Sequence, residues 1–176
     1  MKIDRILSFI LLFALLVSIA ALIYLILNPP PREKFTEFYI LGPKGKAADY
    51  PTKLFVNQSG SVIIGIVNHE YRTMNYTVEV WIVRENVSDA NLLESFTITL
   101  EHMPISEQWK PQFERIFSFS IENPGKYKIV FILLKDCPPK MPEDFGKKEE
   151  RISKALKGEI QSLILNVEVL GIEARE

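Results

Sequence analysis

Residues Met74–Arg84 read MNYTVEVWIVR, and this stretch is the clearest guide to the fold of the chain. Its side chains alternate in character along the backbone. The set predicted to point inward is Tyr76, Val78, Val80 and Ile82, and the set predicted to point outward is Thr77, Glu79 and Trp81. A repeat of two residues is typical of a β-strand with one face on a hydrophobic core and the other in water. The stretch therefore predicts a half-buried strand.

The same alternation continues on both sides of this strand. Further strands are predicted at Phe35–Leu41, Lys53–Val56, Ser61–Asn68, Glu94–Leu100, Phe113–Ile121, Lys126–Lys135 and Leu163–Val169. The strand Lys126–Lys135 is apolar on both faces, which predicts a central position, whereas the others each keep one face in water. The turn Asn57–Gly60 predicts that the strands before and after it form a hairpin.

Regular short strands separated by turns predict an all-β fold, an immunoglobulin-like antiparallel β-sandwich of roughly seven to nine strands with Greek-key connections. The predicted core is Tyr76, Val78, Val80, Phe96, Ile98, Phe117, Phe119, Ile129 and Phe131. Tyr127 follows the turn Asn123-Pro124-Gly125, where a sandwich often has a tyrosine that hydrogen-bonds back across the corner. A plain core tyrosine is an equally good interpretation.

One short helix is predicted near the C-terminus, within an insert that spans residues 136–158. Asp144 can cap a helix that runs to Lys157 and ends at Gly158. Ile152 and Leu156 give it a single narrow apolar stripe, so it is stable only when it docks on the domain. A charged tail, Glu173–Glu176, follows the last strand.

The segment Ile6–Leu27, ILSFILLFALLVSIAALIYLIL, contains no ionisable side chain from Asp, Glu, Lys, Arg or His. As a helix it would be about 33 Å long, against roughly 30 Å for the hydrocarbon core of a bilayer. A cleaved signal peptide is the alternative, but its apolar region is only about 7–15 residues long. We therefore expect an uncleaved anchor in residues 1–28, a Pro-rich spacer in 29–34 and an ectodomain in 35–176.

The anchor predicts a lipid bilayer as one partner and the cytoplasmic membrane as the location. Lys2 and Arg5 weakly favour an inside N-terminus, with a single span and the C-terminal domain outside. Three acceptor sequons support that side, since N-glycosylation occurs outside the cytoplasm. Their possible glycosylation sites are Asn57, Asn75 and Asn86.

Charge and cysteine content exclude two classes of protein. The 21 Lys and Arg residues nearly balance 22 Asp and Glu residues and form no basic stripe, so no nucleic-acid partner is expected. Cys137 is the sole cysteine, so an intramolecular disulfide cannot form.

Catalytic and metal-binding signals are weak. His69 and His102 accompany no recognised catalytic spacing, and a site built on His69-Glu70 would need ligands that the spacing does not locate. The pair Glu149-Glu150 lies on the predicted helix and is expected to be solvated. We expect no enzyme activity, no catalytic residues, no cofactor and no metal site.

Trp81 and Trp109 are the candidates for recognition, because exposed aromatic side chains can anchor a protein interface or stack on sugars. Trp81 lies on the outward set of its strand, but it can also pack under the predicted helix or between the sheets. Trp109 lies in a loop, which favours exposure.

Several segments also resemble a known family. They are FTEFYILGP at 35–43, ADYP at 48–51, GIVNHE at 65–70, NYTV at 75–78 and NPGKY at 123–127. Across roughly Phe35–Lys135 the chain resembles the extracytoplasmic domain of DUF1616, an uncharacterised archaeal membrane-protein family. The resemblance implies an archaeal surface protein with a sandwich domain, and it implies no activity. The single apolar span and the insert 136–158 depart from the family pattern.

Two functions fit these features. The first is a non-catalytic interaction or scaffolding domain of the cell envelope, with an envelope or membrane protein as partner. The alternative is a module that binds a glycan or another small ligand.

Overall fold

The computed structural model describes residues 2–28, 33–106, 108–136 and 141–171. The chain divides into two compact units, Met1–Glu33 and Lys34–Glu176. Cys137, most of the Pro-rich spacer and the charged tail lie outside the described residues.

The first unit contains helix α1, Lys2–Leu27. Its segment Ile6–Leu27 has a mean hydropathy of 3.0, and its side chains are exposed. This helix is long enough and apolar enough to cross a membrane. It ends where the sequence reaches consecutive prolines, which lack the backbone N–H that a continuing helix needs.

Among the described residues, the second unit contains eight strands and one short α-helix. The strands are β1 Phe35–Leu41, β2 Lys53–Phe55, β3 Gly60–His69, β4 Met74–Val83, β5 Asn91–Leu100, β6 Phe113–Phe119, β7 Gly125–Asp136 and β8 Ser162–Leu170. Helix α2 is Lys148–Lys157, and 3-10 turns occur at Val87–Asp89 and Pro142–Phe145.

The strands form two sheets. The three-stranded sheet has the order β1-β3-β6, and the five-stranded sheet has the order β2-β8-β7-β4-β5. Every pairing is antiparallel except that of β2 with β8. The predicted all-β, immunoglobulin-like sandwich is confirmed, with one parallel pair at the edge of the larger sheet.

The predicted hairpin of β2 and β3 is wrong. β2 pairs with β8, from Lys53↔Glu168 to Phe55↔Leu170, whereas β3 pairs with β1 and β6. Asn57 has a positive φ of 62° and donates its N–H to the Ile121 carbonyl, so the turn directs the chain from one sheet into the other. A ten-residue strand gains more ladder hydrogen bonds from two seven-residue neighbours than from a three-residue one.

The main core fills the space between the sheets. Seven of the nine predicted core residues are buried there: Tyr76, Val78, Val80, Phe117, Phe119, Ile129 and Phe131. Phe96 and Ile98 are only partly buried because β5 is an edge strand. The Tyr127 hydroxyl donates to the Asn123 carbonyl at 3.0 Å, which confirms the corner interpretation of that residue.

A second core covers the other face of the five-stranded sheet. Its buried members are Trp81, Val83, Ala90, Val130, Ile132, Leu134, Ile152 and Ala155. Ile152 and Ala155 lie on α2, which packs on β7 and β8. The expectation that β4 keeps one face in water is therefore wrong, because Glu79 and Trp81 are buried against α2 and Thr77 is buried as well.

A buried ion pair joins α2 to β4. The Glu79 carboxylate accepts two hydrogen bonds from Arg151, from Nη2 at 2.8 Å and from Nε at 2.9 Å, and a third from Trp81 Nε1 at 3.2 Å. Only 2% of Glu79 and 5% of Arg151 is exposed. This two-pronged geometry adds directional specificity to hydrogen bonds that are already strengthened by charge.

Helix α2 begins later than predicted. Its first residue is Lys148, and Asp144 lies in the preceding 3-10 turn, where its side chain accepts the Met141 N–H at 3.0 Å. Asp144 therefore caps the turn and not the helix. The predicted end is confirmed, since Gly158 has a left-handed φ of 74° that glycine adopts without strain.

We predict that Glu79→Ala lowers the free energy of unfolding by about 3–5 kcal/mol, because the Arg151 guanidinium stays buried without its counter-charge. The double variant Glu79→Leu/Arg151→Met removes both charges and is expected to recover most of that loss. Urea unfolding of the full chain in detergent, followed by tryptophan fluorescence, measures both.

The control is Glu150→Ala, which removes an exposed carboxylate paired with Lys154 on the same helix. Little change is expected there because solvent screens an exposed ion pair. Equal losses for Glu79→Ala and Glu150→Ala would contradict a structural role for the buried pair.

Candidate recognition surface

Trp109 lies in the segment 101–112 between β5 and β6 and is 57% exposed. Hydrogen bonds fasten this segment to the end of β3. The Met103 N–H donates to the Asn68 carbonyl, and the Asn68 N–H donates to Gln112 Oε1, each at 2.8 Å. The exposed position of Trp109 is therefore held by the sheet, although it lies in a loop.

Tyr39 lies flat on the outer face of the three-stranded sheet, where its strand partner is Gly65. A Cβ atom at Gly65 would lie 2.0 Å from Tyr39 Cζ, so only glycine leaves room for the ring. The Tyr39 hydroxyl donates to Glu114 Oε1 at 3.1 Å. Burial raises the pKa of the Tyr39 phenol, and the negative charge of Glu114 raises it further.

Glu37 connects the tryptophan to the sheet. Its Oε2 accepts from Trp109 Nε1 at 2.9 Å, and its Oε1 lies 3.1 Å from His69 Nε2. The Trp109 and Tyr39 rings meet edge to face, with centroids 5.5 Å apart. We call the set Glu37, Tyr39, Gly65, Trp109 and Glu114 the Trp109 surface.

His69 lies beneath this surface and is buried. Its Nδ1 is 2.6 Å from the Met103 carbonyl, while its Nε2 faces the Glu37 carboxylate. Both neighbours are acceptors, so both bonds are filled only when the ring carries two protons. His69 therefore links the segment that carries Trp109 to β1 and β3.

The cavity beside Trp109 is small, about 160 Å³. Its lining includes Glu37, Val67, His69 and Met103. Pockets that enclose a small molecule usually measure roughly 300–1,000 Å³. The Trp109 surface is therefore better suited to contact with a large partner than to enclosure of a small one.

Trp81 is placed differently from Trp109. It is only 6% exposed and packs beneath α2, as in the alternative interpretation of the sequence, so it is not a surface residue. The two tryptophans lie on the outer faces of different sheets. Of the two recognition candidates, the structure leaves only Trp109 accessible.

The three sequon asparagines are spread over the domain. Asn57 is exposed in the turn before β3, and Asn86 is exposed before the 3-10 turn Val87–Asp89. Asn75 is half-buried, and its Oδ1 accepts from Thr99 Oγ1 at 2.7 Å. Glycosylation of these residues stays a prediction.

The histidines do not assemble a metal site in the part of the chain that is described. No group of three His, Cys, Asp or Glu side chains suited to a metal ion occurs there. His69 is bonded to Glu37 and Met103, and the His102 ring stacks on Tyr71 at 4.8 Å.

Sequence reasoning did not identify Glu37, Tyr39, Gly65 or Glu114 as neighbours of Trp109. One signal was available, because an isolated glycine within a strand often marks the close approach of another group. The carboxylates had no such signal. Glu37, for example, lies 72 residues before Trp109 in the sequence.

We predict that Gly65→Ala displaces the Tyr39 ring while the domain stays folded, because the clash is with the far end of one side chain. The pKa of Tyr39 should then fall towards its usual value of about 10. A pH titration of the full chain in detergent, labelled with ¹³C at tyrosine Cζ, measures this change by NMR.

The titration has two controls, a second tyrosine in the same protein and a second glycine variant. Burial raises the pKa of Tyr76 in the main core to about 12, and this value should not change in the variant. Gly171→Ala, where an added Cβ meets nothing within 4 Å, is the matched glycine control. An unaltered Tyr39 titration in Gly65→Ala would contradict the packing described here.

Comparison with known proteins identifies one matching family and several solved structures of low sequence identity. Solved structures similar to this chain include the CARDB domain of the PF1109 protein from Pyrococcus furiosus in complex with di-metal ions. That match has 14% sequence identity, a TM-score of 0.47 and coverage of 78% of this chain and 89% of that chain. A beta-glucosidase from Listeria innocua matches at 13% identity and a TM-score of 0.44, over 78% of this chain but 16% of the enzyme.

These structural similarities carry no inference about activity or ligands. No curated protein matches the chain. In contrast, the family described as Domain of unknown function (DUF1616) matches residues 29–157, well over half of the sequence. The match contains β1 to β7 and α2, so it includes the whole three-stranded sheet, the five-stranded sheet except β8, and the Trp109 surface. The chain belongs to the DUF1616 family.

Proposed function

We propose that this chain is a membrane-anchored, non-catalytic interaction domain that holds a partner protein of the cell envelope at the Trp109 surface. The observation that carries the proposal is an exposed tryptophan fixed on a rigid sheet by Glu37 and Tyr39. A side chain that is already ordered loses little entropy on binding, so most of its contact energy is gained by the complex. Tryptophan is also among the residues that contribute most to protein interfaces.

The polar groups near Trp109 favour a structural over a catalytic role. The Glu37 carboxylate is engaged by both Trp109 and His69, and Glu114 accepts from Tyr39. Proton transfer to a substrate needs an acid or base within hydrogen-bond reach of it. Here the Glu37 carboxylate and the His69 imidazole contact each other and hold Trp109, and Glu114 holds the Tyr39 hydroxyl.

The anchor in residues 1–28 would keep the domain near the membrane, with the spacer 29–34 as a short connection. Helix α1 supports this part of the proposal through its length and composition. The sequons support an extracytoplasmic location for the domain, which starts at residue 35. A domain tethered in this way meets membrane and envelope proteins at a high effective concentration.

One observation favours a second candidate, binding of a glycan. Tyr39 and Trp109 form an open aromatic surface flanked by the carboxylates of Glu37 and Glu114. Sugar rings can stack on such aromatic faces, and their hydroxyl groups can donate hydrogen bonds to neighbouring carboxylates. An extended polysaccharide would not need an enclosed cavity.

The proposed topology predicts that protease added to intact spheroplasts digests or releases the domain. Permeabilised spheroplasts provide the reference for complete access. Full protection in intact spheroplasts, with digestion only after permeabilisation, would place the domain on the cytoplasmic side and contradict the proposal.

The proposed partner can be captured with a photo-cross-linking amino acid at position 110, beside Trp109, in the native membrane. We expect a defined protein adduct from position 110 that Trp109→Ala abolishes and Trp109→Phe partly retains. Lys157, exposed on α2, is the control position and should give no adduct of that size.

Two results would overturn the protein-partner proposal. One is an adduct that forms equally from positions 110 and 157. The other is the absence of a protein adduct together with polysaccharide binding that Trp109→Ala abolishes, which would support the glycan function instead.

A further inference from the structure

The outer face of β7 changes character along its length. Val130, Ile132 and Leu134 are buried beneath α2, whereas Lys126 and Lys128, which precede them on the same face, are exposed. Alternate residues of a strand share a face, so the two lysines lie about 7 Å apart on the part of the sheet that α2 does not cover. This part of β7 is charged, and Lys128 lies opposite Val83 of β4, a member of the second core.

A groove of about 490 Å³ occupies this part of the sheet. Its polar lining residues are Thr52, Arg84, Lys126, Lys128, Asn166 and Glu168. Lys126 lies opposite Glu168 and Lys128 lies opposite Asn166 in the pairing of β7 with β8. The volume falls in the range of roughly 300–1,000 Å³ that is usual for ligand sites.

The charges in the groove are unbalanced. Among the residues that the structure describes, no carboxylate oxygen lies within 4.0 Å of the cationic nitrogens of Arg84, Lys126 or Lys128. The one acid of the lining, Glu168, lies 4.0 Å from Lys53 at the groove edge. Three cations therefore share one concave surface with a single acid that already has another partner.

Arg84 is the ordered member of this group. Its guanidinium lies 5.8 Å from the centre of the Tyr127 ring, and its Nη2 donates to the Pro124 carbonyl at 3.4 Å. Tyr127 is itself fixed by its hydrogen bond to Asn123. Most N–H groups of Arg84 are left to donate to a ligand, and a guanidinium can hold a carboxylate or phosphate with two parallel bonds.

We propose that this groove binds the carboxylate or phosphate group of an anionic ligand, either an acidic saccharide or a phosphorylated headgroup. Arg84 provides the two-pronged contact, Lys126 and Lys128 provide charge, and Thr52 and Asn166 provide neutral hydrogen-bond donors. The site lies on the five-stranded sheet, whereas the Trp109 surface lies on the three-stranded sheet. Binding here is therefore independent of the partner proposed above.

Isothermal titration calorimetry of the full chain in neutral phosphatidylcholine nanodiscs tests the site. The probes are a galacturonate hexasaccharide, which carries carboxylates, glycerol 1-phosphate, which represents a headgroup, and maltohexaose as the neutral control. We expect at least one anionic probe to bind, more weakly as salt increases, and maltohexaose not to bind. The probe that binds identifies the source of the anion.

Arg84→Gln should weaken this binding about tenfold or more, because it removes a charge-assisted pair of hydrogen bonds. Lys128→Gln should weaken it less. Lys157→Gln, which removes one positive charge from the exposed side of α2, and Trp109→Ala should leave it unchanged. Arg84 is exposed, so Arg84→Gln is expected to unfold at the same urea concentration as the wild-type chain.

Two outcomes would overturn the proposal. Either neither anionic probe binds more tightly than maltohexaose, or Lys157→Gln weakens binding as much as Arg84→Gln does. The second result would mean that general charge attraction, and not the groove, accounts for the binding.

Discussion

The pairing of β4 with β7 puts apolar side chains on both faces of the five-stranded sheet, and each face needs its own cover. The three-stranded sheet covers one face and α2 covers the other. Because a helix with so narrow an apolar stripe is unstable alone, α2 and the sheet depend on each other. The buried Glu79–Arg151 pair fixes their register, since a two-pronged bond tolerates little displacement.

This arrangement leaves function to the surfaces that the two cores do not use. The outer face of the three-stranded sheet carries Trp109, held by Glu37 and by the Tyr39 ring on Gly65. The uncovered end of the five-stranded sheet carries the cationic groove around Arg84. Both surfaces rest on strands whose opposite faces are packed, so their side chains are positioned before any ligand arrives.

Local pattern predicted the strands well because side-chain alternation is a property of neighbouring residues. The inward set Tyr76, Val78 and Val80 is fully buried, and β1 occupies the predicted range. The pairing of strands that lie far apart in the sequence was harder to predict. β2 is too short for its sequence to select a partner, and it joins β8 at the far end of the chain.

The outward residues show the same limit. Glu79 and Trp81 have the spacing of solvent-facing side chains, and only the docking of α2 explains their burial. For the Trp109 surface, loop position predicted exposure correctly, but its partners come from β1, β3 and β6. Their convergence depends on sheet order, which the sequence pattern does not contain.

Native-state hydrogen exchange on the full chain in detergent tests most directly whether the two cores form one cooperative unit. We expect the amides of Trp81 and Val130, beneath α2, to exchange with the same free energy as the amide of Ile64 in β3, through global unfolding. If Trp81 and Val130 exchange with a much lower free energy while Ile64 stays protected, α2 opens as a separate unit. That result would contradict the account of a sheet that requires both covers.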